Sequence, residues 1–318
     1  MNINPEEYKA NIDGFFVKDC AVRAKNAYSF VLLQDIDNAS HGYKRLLNFF
    51  PDDPPGQRLG GSQYEDFVFP KLSASQVPKN QAVMVSLECE VAVIGGGDNV
   101  EESRIPKGDP SKPLWSGCLN LATIDGYVYA VGHARSVCRR DSSNNWVSIV
   151  DRKTMPKPEP DKLGFVHGGF EAIDGFNAND IYCVGEKGDA WRYDGKRWYP
   201  CAVPTNMHFR SVCCAGDGFV YIGMQSGSVM RGREDKWKLI HKDEMTLAFK
   251  DMVWFQGKVW CTSDYGLWVI EDEKLTEAAV PPEVKACSGN LAVGDGVMLL
   301  AGMYGATVHD GKHWNRLW

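Results

Sequence analysis

Short apolar runs alternate with gaps rich in glycine and aspartate along most of this chain, and residues 169–201 show the pattern most clearly. Four strand-length runs lie there: Phe170–Ile173, Asp180–Val184, Asp189–Tyr193 and Arg197–Cys201. Each run has about the length of one β-strand, and each gap has about the length of a hairpin turn. The pattern predicts a unit of four antiparallel strands. Because one such sheet cannot bury both of its faces alone, we expect it to pack against copies of itself.

The same unit recurs through residues 117–318, and a large apolar residue marks its last strand. These positions are Trp146, Trp198, Trp237, Leu275 and Trp314. From Trp198 onward they are 39, 38 and 39 residues apart, whereas the step before Trp198 is 52 residues because residues 151–166 form an insertion. A period near forty with four strands per unit is typical of a β-propeller.

We therefore predict an all-β fold in which residues 1–318 form a single β-propeller of seven four-stranded blades. Five clear repeats occupy residues 117–318, and residues 13–116 have room for two irregular blades. Strand-like runs there include Phe15–Val22, Tyr28–Leu33 and residues 82–104, which resemble a degenerate blade. Six or eight blades, and a two-sheet sandwich with a separate N-terminal domain, are the alternatives. A sandwich gives no reason for a tryptophan at a steady spacing.

An Asp-Gly turn precedes the marker tryptophan in two of the clearest units, at residues 194–198 and 310–314. Glycine supplies the positive φ that a tight hairpin needs, and the tryptophan that follows can fill the wedge between two blades. These units resemble the bacterial WD40/YVTN/BNR-like repeat propellers, and the turns are similar to a shortened Asp-box. The resemblance covers residues 117–318 and implies the fold. It implies little about activity, because such propellers have many functions.

Composition narrows the class of partner and the compartment. The net charge of −6 disfavours nucleic acid and acidic membranes as partners and is compatible with a basic protein. Ten cysteines include no C-x-x-C pair and lie mostly in apolar runs, which is typical of reduced, buried thiols. The first residues contain neither a basic segment nor a long apolar run. We therefore expect a cytoplasmic protein that is monomeric on its own.

Motifs that carry chemistry are weak. The run 91–97 (VAVIGGG) resembles the first strand and glycine loop of a dinucleotide-binding fold, but Val100 occupies the third glycine position and no helical pattern follows. We interpret it as a hairpin turn. His309 and His313 flank an Asp-Gly turn without a helix to align them for a metal. The sequence therefore predicts no cofactor, no metal and no catalytic residue.

One end of a propeller is built from the connections between blades and from the turns between second and third strands. We predict that a protein partner binds there. The candidate contact residues are Asn120, Arg135, Glu171, Lys187, Arg210, Gln225, Lys250, Asp251, Tyr265 and Tyr304. Tyr265 and Tyr304 occupy short turns, where an aromatic side chain is exposed and suits a contact anchor.

Our first functional hypothesis is a non-catalytic propeller that binds a protein, for example an inhibitor or immunity-type protein that neutralises a toxin or enzyme directly. The alternative is an enzyme acting on a glycan or small ligand at the propeller axis, with Glu171 and Asp251 as its carboxylate pair. A third hypothesis is an assembly scaffold in a larger complex.

Overall fold

A computed structural model describes residues 3–37, 42–109, 111–160, 162, 166, 168–242 and 246–318. Its strands form seven four-stranded antiparallel sheets arranged in a ring, which confirms the predicted seven-bladed β-propeller. Every sheet consists of four consecutive strands, so each blade is one stretch of chain. Within the ranges given above, no helix has the length and apolar character needed to cross a membrane.

The twenty-eight strands are numbered in chain order, four to a blade. Blades 1 to 3 contain β1 (Phe15–Ala24), β2 (Ala27–Gln34), β3 (Lys44–Phe49), β4 (Leu59–Tyr64), β5 (Lys71–Ser75), β6 (Gln81–Val85), β7 (Val91–Gly95), β8 (Asp98–Glu102), β9 (Cys118–Ile124), β10 (Tyr127–Gly132), β11 (Ser136–Ser142) and β12 (Asn145–Ser148). Blades 4 and 5 contain β13 (Phe170–Asn177), β14 (Asp180–Gly185), β15 (Ala190–Tyr193), β16 (Trp198–Pro200), β17 (Phe209–Cys214), β18 (Val220–Met224), β19 (Val229–Arg233) and β20 (Lys236–His241). Blades 6 and 7 contain β21 (Asp251–Phe255), β22 (Lys258–Ser263), β23 (Gly266–Glu271), β24 (Lys274–Glu277), β25 (Gly289–Gly294), β26 (Val297–Gly302), β27 (Gly305–His309) and β28 (Trp314–Arg316).

Within the described residues, two short α-helices accompany the strands: α1 (Pro5–Asn11) before blade 1 and α2 (Pro282–Lys285) before blade 7. Asn4 caps α1, because its Oδ1 accepts a hydrogen bond from the Glu7 backbone N–H at 2.7 Å. Single 3₁₀ turns at Glu186–Gly188 and Gln225–Gly227 join the second and third strands of blades 4 and 5.

Seven apolar clusters hold the ring together, and each lies between two adjacent blades. Strand β10 shows how the sequence produces this arrangement. Val128 and Ala130 join the cluster between blades 2 and 3, whereas Tyr129 and Val131 join the cluster between blades 3 and 4. Successive side chains of a strand point to opposite faces, and here both faces are covered. Because both faces of β10 are buried, its sequence is apolar at consecutive positions instead of at every second one.

The repeating tryptophans fill the outer part of these interfaces, as the sequence predicts. Trp198 belongs to the cluster between blades 3 and 4, is only 2% exposed, and donates its indole N–H to the Ile149 carbonyl at 2.9 Å. Trp314 packs edge-on against Trp260 of blade 6, with ring centroids 5.9 Å apart. Leu275 takes the same place between blades 5 and 6. The marker residue thus lies between its own blade and the preceding one.

The ring closes by packing between blades 7 and 1, without exchange of strands between them. The Trp318 ring packs edge-on against Phe30, with centroids 4.7 Å apart. The Ile3 backbone N–H donates to the Leu317 carbonyl at 3.2 Å. Lys25 of blade 1 donates its backbone N–H to the Asp295 carboxylate at 2.9 Å. Side-chain burial and a few hydrogen bonds therefore join the two ends of the chain.

Blades 2 and 3 share a buried ion pair that sequence reasoning did not predict. The guanidinium of Arg140 donates to the Glu102 carboxylate and to Gln81 Oε1, the latter at 3.2 Å. The two charged side chains are 0% and 1% exposed. Within an apolar interface each charge depends on the other, because an uncompensated buried charge is strongly unfavourable.

Replacing Arg140 with alanine should lower the free energy of unfolding by roughly 3–5 kcal/mol, because Glu102 would stay buried without its partner. The matched control is Lys258→Ala, which removes a half-exposed pair with Glu271 and should cost at most about 1 kcal/mol. Urea unfolding followed by tryptophan fluorescence measures both. Equal effects of the two substitutions would contradict the role given to the buried pair.

Candidate functional site

The inner strands of all seven blades surround a central channel of about 500 Å³. The chain enters every blade at the same end of the ring. The connection from the fourth strand of one blade to the first strand of the next lies at that end. The turns between second and third strands lie at that end too, since the strands within a blade are antiparallel. We call this end the upper face and the opposite end the lower face. All ten candidate contact residues lie on the upper face or at the upper end of an inner strand.

Two of these residues, Asn120 and Asp251, connect neighbouring blades at the start of the channel. The Asn120 amide donates to the Glu171 carbonyl of blade 4 at 3.0 Å. The Asp251 carboxylate accepts the Leu291 N–H of blade 7 at 3.0 Å. Asp19 does the same for the Leu72 N–H of blade 2 at 2.9 Å. Their polar atoms are largely used to hold the inner strands together.

Burial changes the acidity of two channel carboxyls. It raises the pKa of Asp251, and the nearby charge of Asp19 adds to the effect. Burial also raises the pKa of Asp174 to about 6, although hydrogen bonds from the backbone N–H groups of Cys214 and Gly175 oppose the shift. Raised carboxyl pKa values occur at catalytic sites and equally at structural ones.

The two carboxylates of the enzyme hypothesis, Glu171 and Asp251, do not both line the channel. Asp251 faces the channel, whereas Glu171 is not among the residues that line it. Glu171 instead lies 3.2 Å from an Arg210 guanidinium nitrogen on the next blade. Lys250 has a similar contact, 3.2 Å from Asp264. Within the described ranges, no group of three or more histidine, cysteine or acidic side chains is arranged to hold a metal ion.

Three further candidates lie in the turns at the upper ends of blades 3 to 5. Arg135 is held in place, since it donates to the Asp189 carboxylate at 2.8 Å and to the Pro156 carbonyl at 2.9 Å. The second bond ties the insertion after blade 3 to this turn. Lys187 is exposed and has a positive φ of 57°. Gln225 is also exposed, and its Oε1 accepts the His208 N–H at 3.1 Å.

Tyr265 and Tyr304 are the most exposed large apolar side chains in the described ranges, at 79% and 68%. Each is the second residue of a two-residue turn, bounded by the pairs Ser263–Gly266 and Gly302–Gly305. Such a short turn leaves its tip without neighbours to cover it. The exposure of the two tyrosines agrees with the sequence prediction. Their role in binding a partner stays a prediction.

The two tyrosines belong to a larger set of exposed apolar side chains on consecutive blades of the ring. We call this set the upper crescent; it extends from the connection before blade 6 through blades 6, 7 and 1 to the start of blade 2. Its members are Ile36, Tyr43, Phe69, Leu247, Tyr265, Met303 and Tyr304. Exposed apolar side chains that recur in neighbouring turns make this part of the upper face a candidate interaction surface.

Exposed acidic residues surround the upper crescent. They are Asp13, Asp35, Asp37, Glu65, Asp66 and Asp264. The upper ends of blades 3 and 4 differ, because cationic side chains such as Arg152, Lys153, Lys157 and Lys187 lie there. Exposed acids thus accompany the crescent, whereas cations and acids are mixed at the upper ends of blades 3 and 4.

Sequence reasoning missed Ile36, Phe69 and Leu247, which lie in irregular connections outside the recognisable repeat. Phe69 is 55% exposed and has a positive φ of 46°, an uncommon conformation for a bulky residue. Its position just before Pro70 was the only available signal. Met303 was visible beside Tyr304 in the turn but was not chosen.

Comparison with known proteins agrees with this architecture. No family model matches the chain. It is 35% identical over 240 residues to the Immune protein Tsi7 of Pseudomonas aeruginosa, and the match covers 76% of both chains. Among solved structures, it is similar to YCF48 bound to D1 peptide (TM-score 0.64, 13% identity, 97% and 94% of the two chains). It is also similar to the WD40 β-propeller domain of Doa1 (TM-score 0.62, 11% identity, 92% of both chains).

The two solved structures support the fold alone, at this level of identity. The fold and the relative together define an immunity-type protein built on a seven-bladed β-propeller. The chain belongs to the family of the Immune protein Tsi7.

Asp174 should make the protein less stable as pH rises from about 4 to 6, because its pKa is raised when folded and the folded state binds the extra proton in that range. As pH rises over this window, the unfolding free energy of the native protein should therefore fall relative to that of Asp174→Asn. Urea unfolding at several pH values measures the gap.

Asp310→Asn is the matched control. Hydrogen bonds from the His313 and Lys312 backbone N–H groups hold the pKa of Asp310 at about 2. Its contribution is complete above the unfolded pKa near 3.8 and is lost only as pH falls toward 2. The gap for this variant should stay flat between pH 4 and 6. A flat gap for Asp174→Asn as well would contradict the raised pKa.

Proposed function

We propose that this chain neutralises a toxic protein by binding it directly through the upper face. The observation that carries the proposal is its 35% identity to the Immune protein Tsi7 across 76% of both chains. An immunity protein needs a surface for a protein partner. The upper face offers exposed aromatic side chains on rigid turns, and the central channel does not hold the predicted carboxylate pair together.

The upper crescent is the part of that face best suited to supply binding energy. Exposed tyrosine contributes a large contact area and loses little conformational entropy on binding, so it is enriched among residues that dominate interfaces. Tyr265 and Tyr304 are fixed by two-residue turns, which lowers that entropy further. One structural neighbour, YCF48, was solved with a bound peptide, so this fold accommodates peptide ligands in at least that protein.

Charge favours a partner with basic residues around an apolar patch. Exposed acids are frequent in the turns and connections of the crescent, and the chain as a whole carries a net charge of −6. Opposite charges would speed the encounter more than they would tighten the complex. The same charge supports a function without nucleic acid or membrane as partner.

The remaining candidate contacts would form the periphery of the interface. Lys187, Arg210 and Gln225 are exposed at the upper ends of blades 4 and 5, whereas Asn120, Arg135 and Asp251 are half-buried and bonded to groups within the ring. We infer that the chain acts as a monomer in the cytoplasm. Ten free cysteines, eight of them buried, support a reducing compartment.

Tyr265→Ala and Tyr304→Ala should each weaken binding to the cognate toxin about tenfold or more, because each removes an anchor from the centre of the interface. Calorimetry with an inactive toxin, identified among the products of neighbouring genes, measures the dissociation constants. Protection of cells that express the active toxin should fall in the same order.

The matched control is Phe219→Ala, which removes an exposed aromatic from a turn on the lower face. It should leave the dissociation constant within about twofold of the native value. Raising the salt concentration should slow association of the native protein more than it speeds dissociation. If Phe219→Ala weakened binding and the two tyrosine substitutions did not, the lower face would be the binding surface.

A further inference from the structure

Two lysines line the channel where it opens onto the upper face, and a third, Lys18, lies close enough for both to act on its charge. Lys71 and Lys250 line the channel on blades 2 and 6. Lys18 lies in β1 at a register shift between Val17 and Asp19, which interrupts the regular pairing of blade 1 at that point. All three side chains are half-buried. Like charges held together in a confined, partly desolvated opening repel one another, and a bound anion relieves that repulsion.

The neighbouring carboxylates are largely occupied by other donors. Asp19 accepts backbone N–H groups from Cys20 and Leu72, both at 2.9 Å, and Asp251 accepts the Leu291 N–H at 3.0 Å. Asp264 contacts Lys250 at 3.2 Å from its exposed turn. The ammonium groups of Lys18 and Lys71 have no hydrogen bond or ion pair to any residue that the structure describes. Two of the three ammonium groups thus lack a direct counterion.

The electrostatic balance at Lys18 is repulsive. Burial lowers the pKa of its ammonium group, and the charges of Lys250 and Lys71 lower it further. Asp19 and Asp264 act in the opposite direction, but each acts more weakly than either lysine. The charges that act on Lys18 are therefore predominantly positive, even though the chain is acidic overall.

We propose that the opening of the channel between Lys18, Lys71 and Lys250 is a binding site for a carboxylate. The channel volume of about 500 Å³ falls within the range of small-ligand sites. Carboxylates form strong, charge-assisted hydrogen bonds with ammonium groups. The site lies beside the upper crescent, since Lys250 and Tyr265 both adjoin Asp264.

The carboxylate has two possible sources. One is a small free di- or tricarboxylate, and the other is an acidic side chain of the toxin that enters the opening when the complex forms. The second source rests on the proposed function, whereas the first does not depend on it. Two separate measurements distinguish them.

The first measurement titrates the isolated protein with malonate and with citrate, at constant ionic strength maintained with chloride, and follows the amide signals of blades 1, 2 and 6 by NMR. Saturable shifts are expected, and the double variant Lys18→Met/Lys71→Met should lose at least tenfold in affinity. The single variants Lys18→Met and Lys71→Met, and the charge-preserving pair Lys18→Arg/Lys71→Arg, distinguish loss of charge from loss of folding. The arginine pair should retain binding. Lys258→Met/Lys274→Met, on the lower face, is the matched control and should bind as the native protein does.

The second measurement compares toxin binding by the same variants. If the toxin supplies the carboxylate, Lys18→Met/Lys71→Met should weaken the complex at least tenfold, the lower-face pair should not, and malonate should compete. Saturable malonate binding with unchanged toxin affinity would assign the site to a free carboxylate. If malonate and citrate cause no saturable shift and the lysine substitutions leave toxin affinity unchanged, the proposal is wrong. Because the first measurement needs no toxin, failure of the proposed function alone would leave its result intact.

Discussion

Burial of both faces of every sheet against the neighbouring sheets is the constraint on which this structure depends. Each of the seven apolar clusters belongs to two blades, so no blade has a core of its own. The repeating tryptophan at the outer strand follows from the geometry of the ring, because the gap between two blades widens with distance from the axis. Even the joint between the first and last blades relies on side-chain packing, with Trp318 against Phe30.

This constraint leaves the ends of the ring free to vary. A turn at the upper face contributes little to the clusters, so Tyr265, Met303 and Tyr304 can be exposed without weakening the ring. The upper ends of the inner strands are different. There Asp19, Asn120 and Asp251 each form a hydrogen bond with a peptide group of the adjoining blade. Their polar atoms thus stabilise the ring and are less available to a ligand. The same face thus combines a structural inner circle with an exposed outer surface.

The regular part of the fold could be predicted from sequence because its packing repeats. The spacing of the marker residues predicted the blades, and the Asp-Gly turns predicted where outer strands begin. Strands β4 and β5 were missed, since β4 is glycine-rich and mostly exposed, and β5 follows a proline within a connection that lacks the repeat. Side-chain contacts between different blades could not be predicted from the sequence either. Nothing local in the sequence indicates that Arg140 meets Glu102 or that Arg135 is held by Asp189.

Hydrogen–deuterium exchange of the purified chain, alone and in complex with its toxin, tests the central claim most directly. Binding through the upper face predicts slower exchange in the turns between second and third strands of blades 6 and 7 and in the connection before β5. Turns of the lower face, such as the one containing Phe219, should exchange at the same rate in both states. Protection confined to the lower face, or no protection anywhere in a complex that demonstrably forms, would contradict the account.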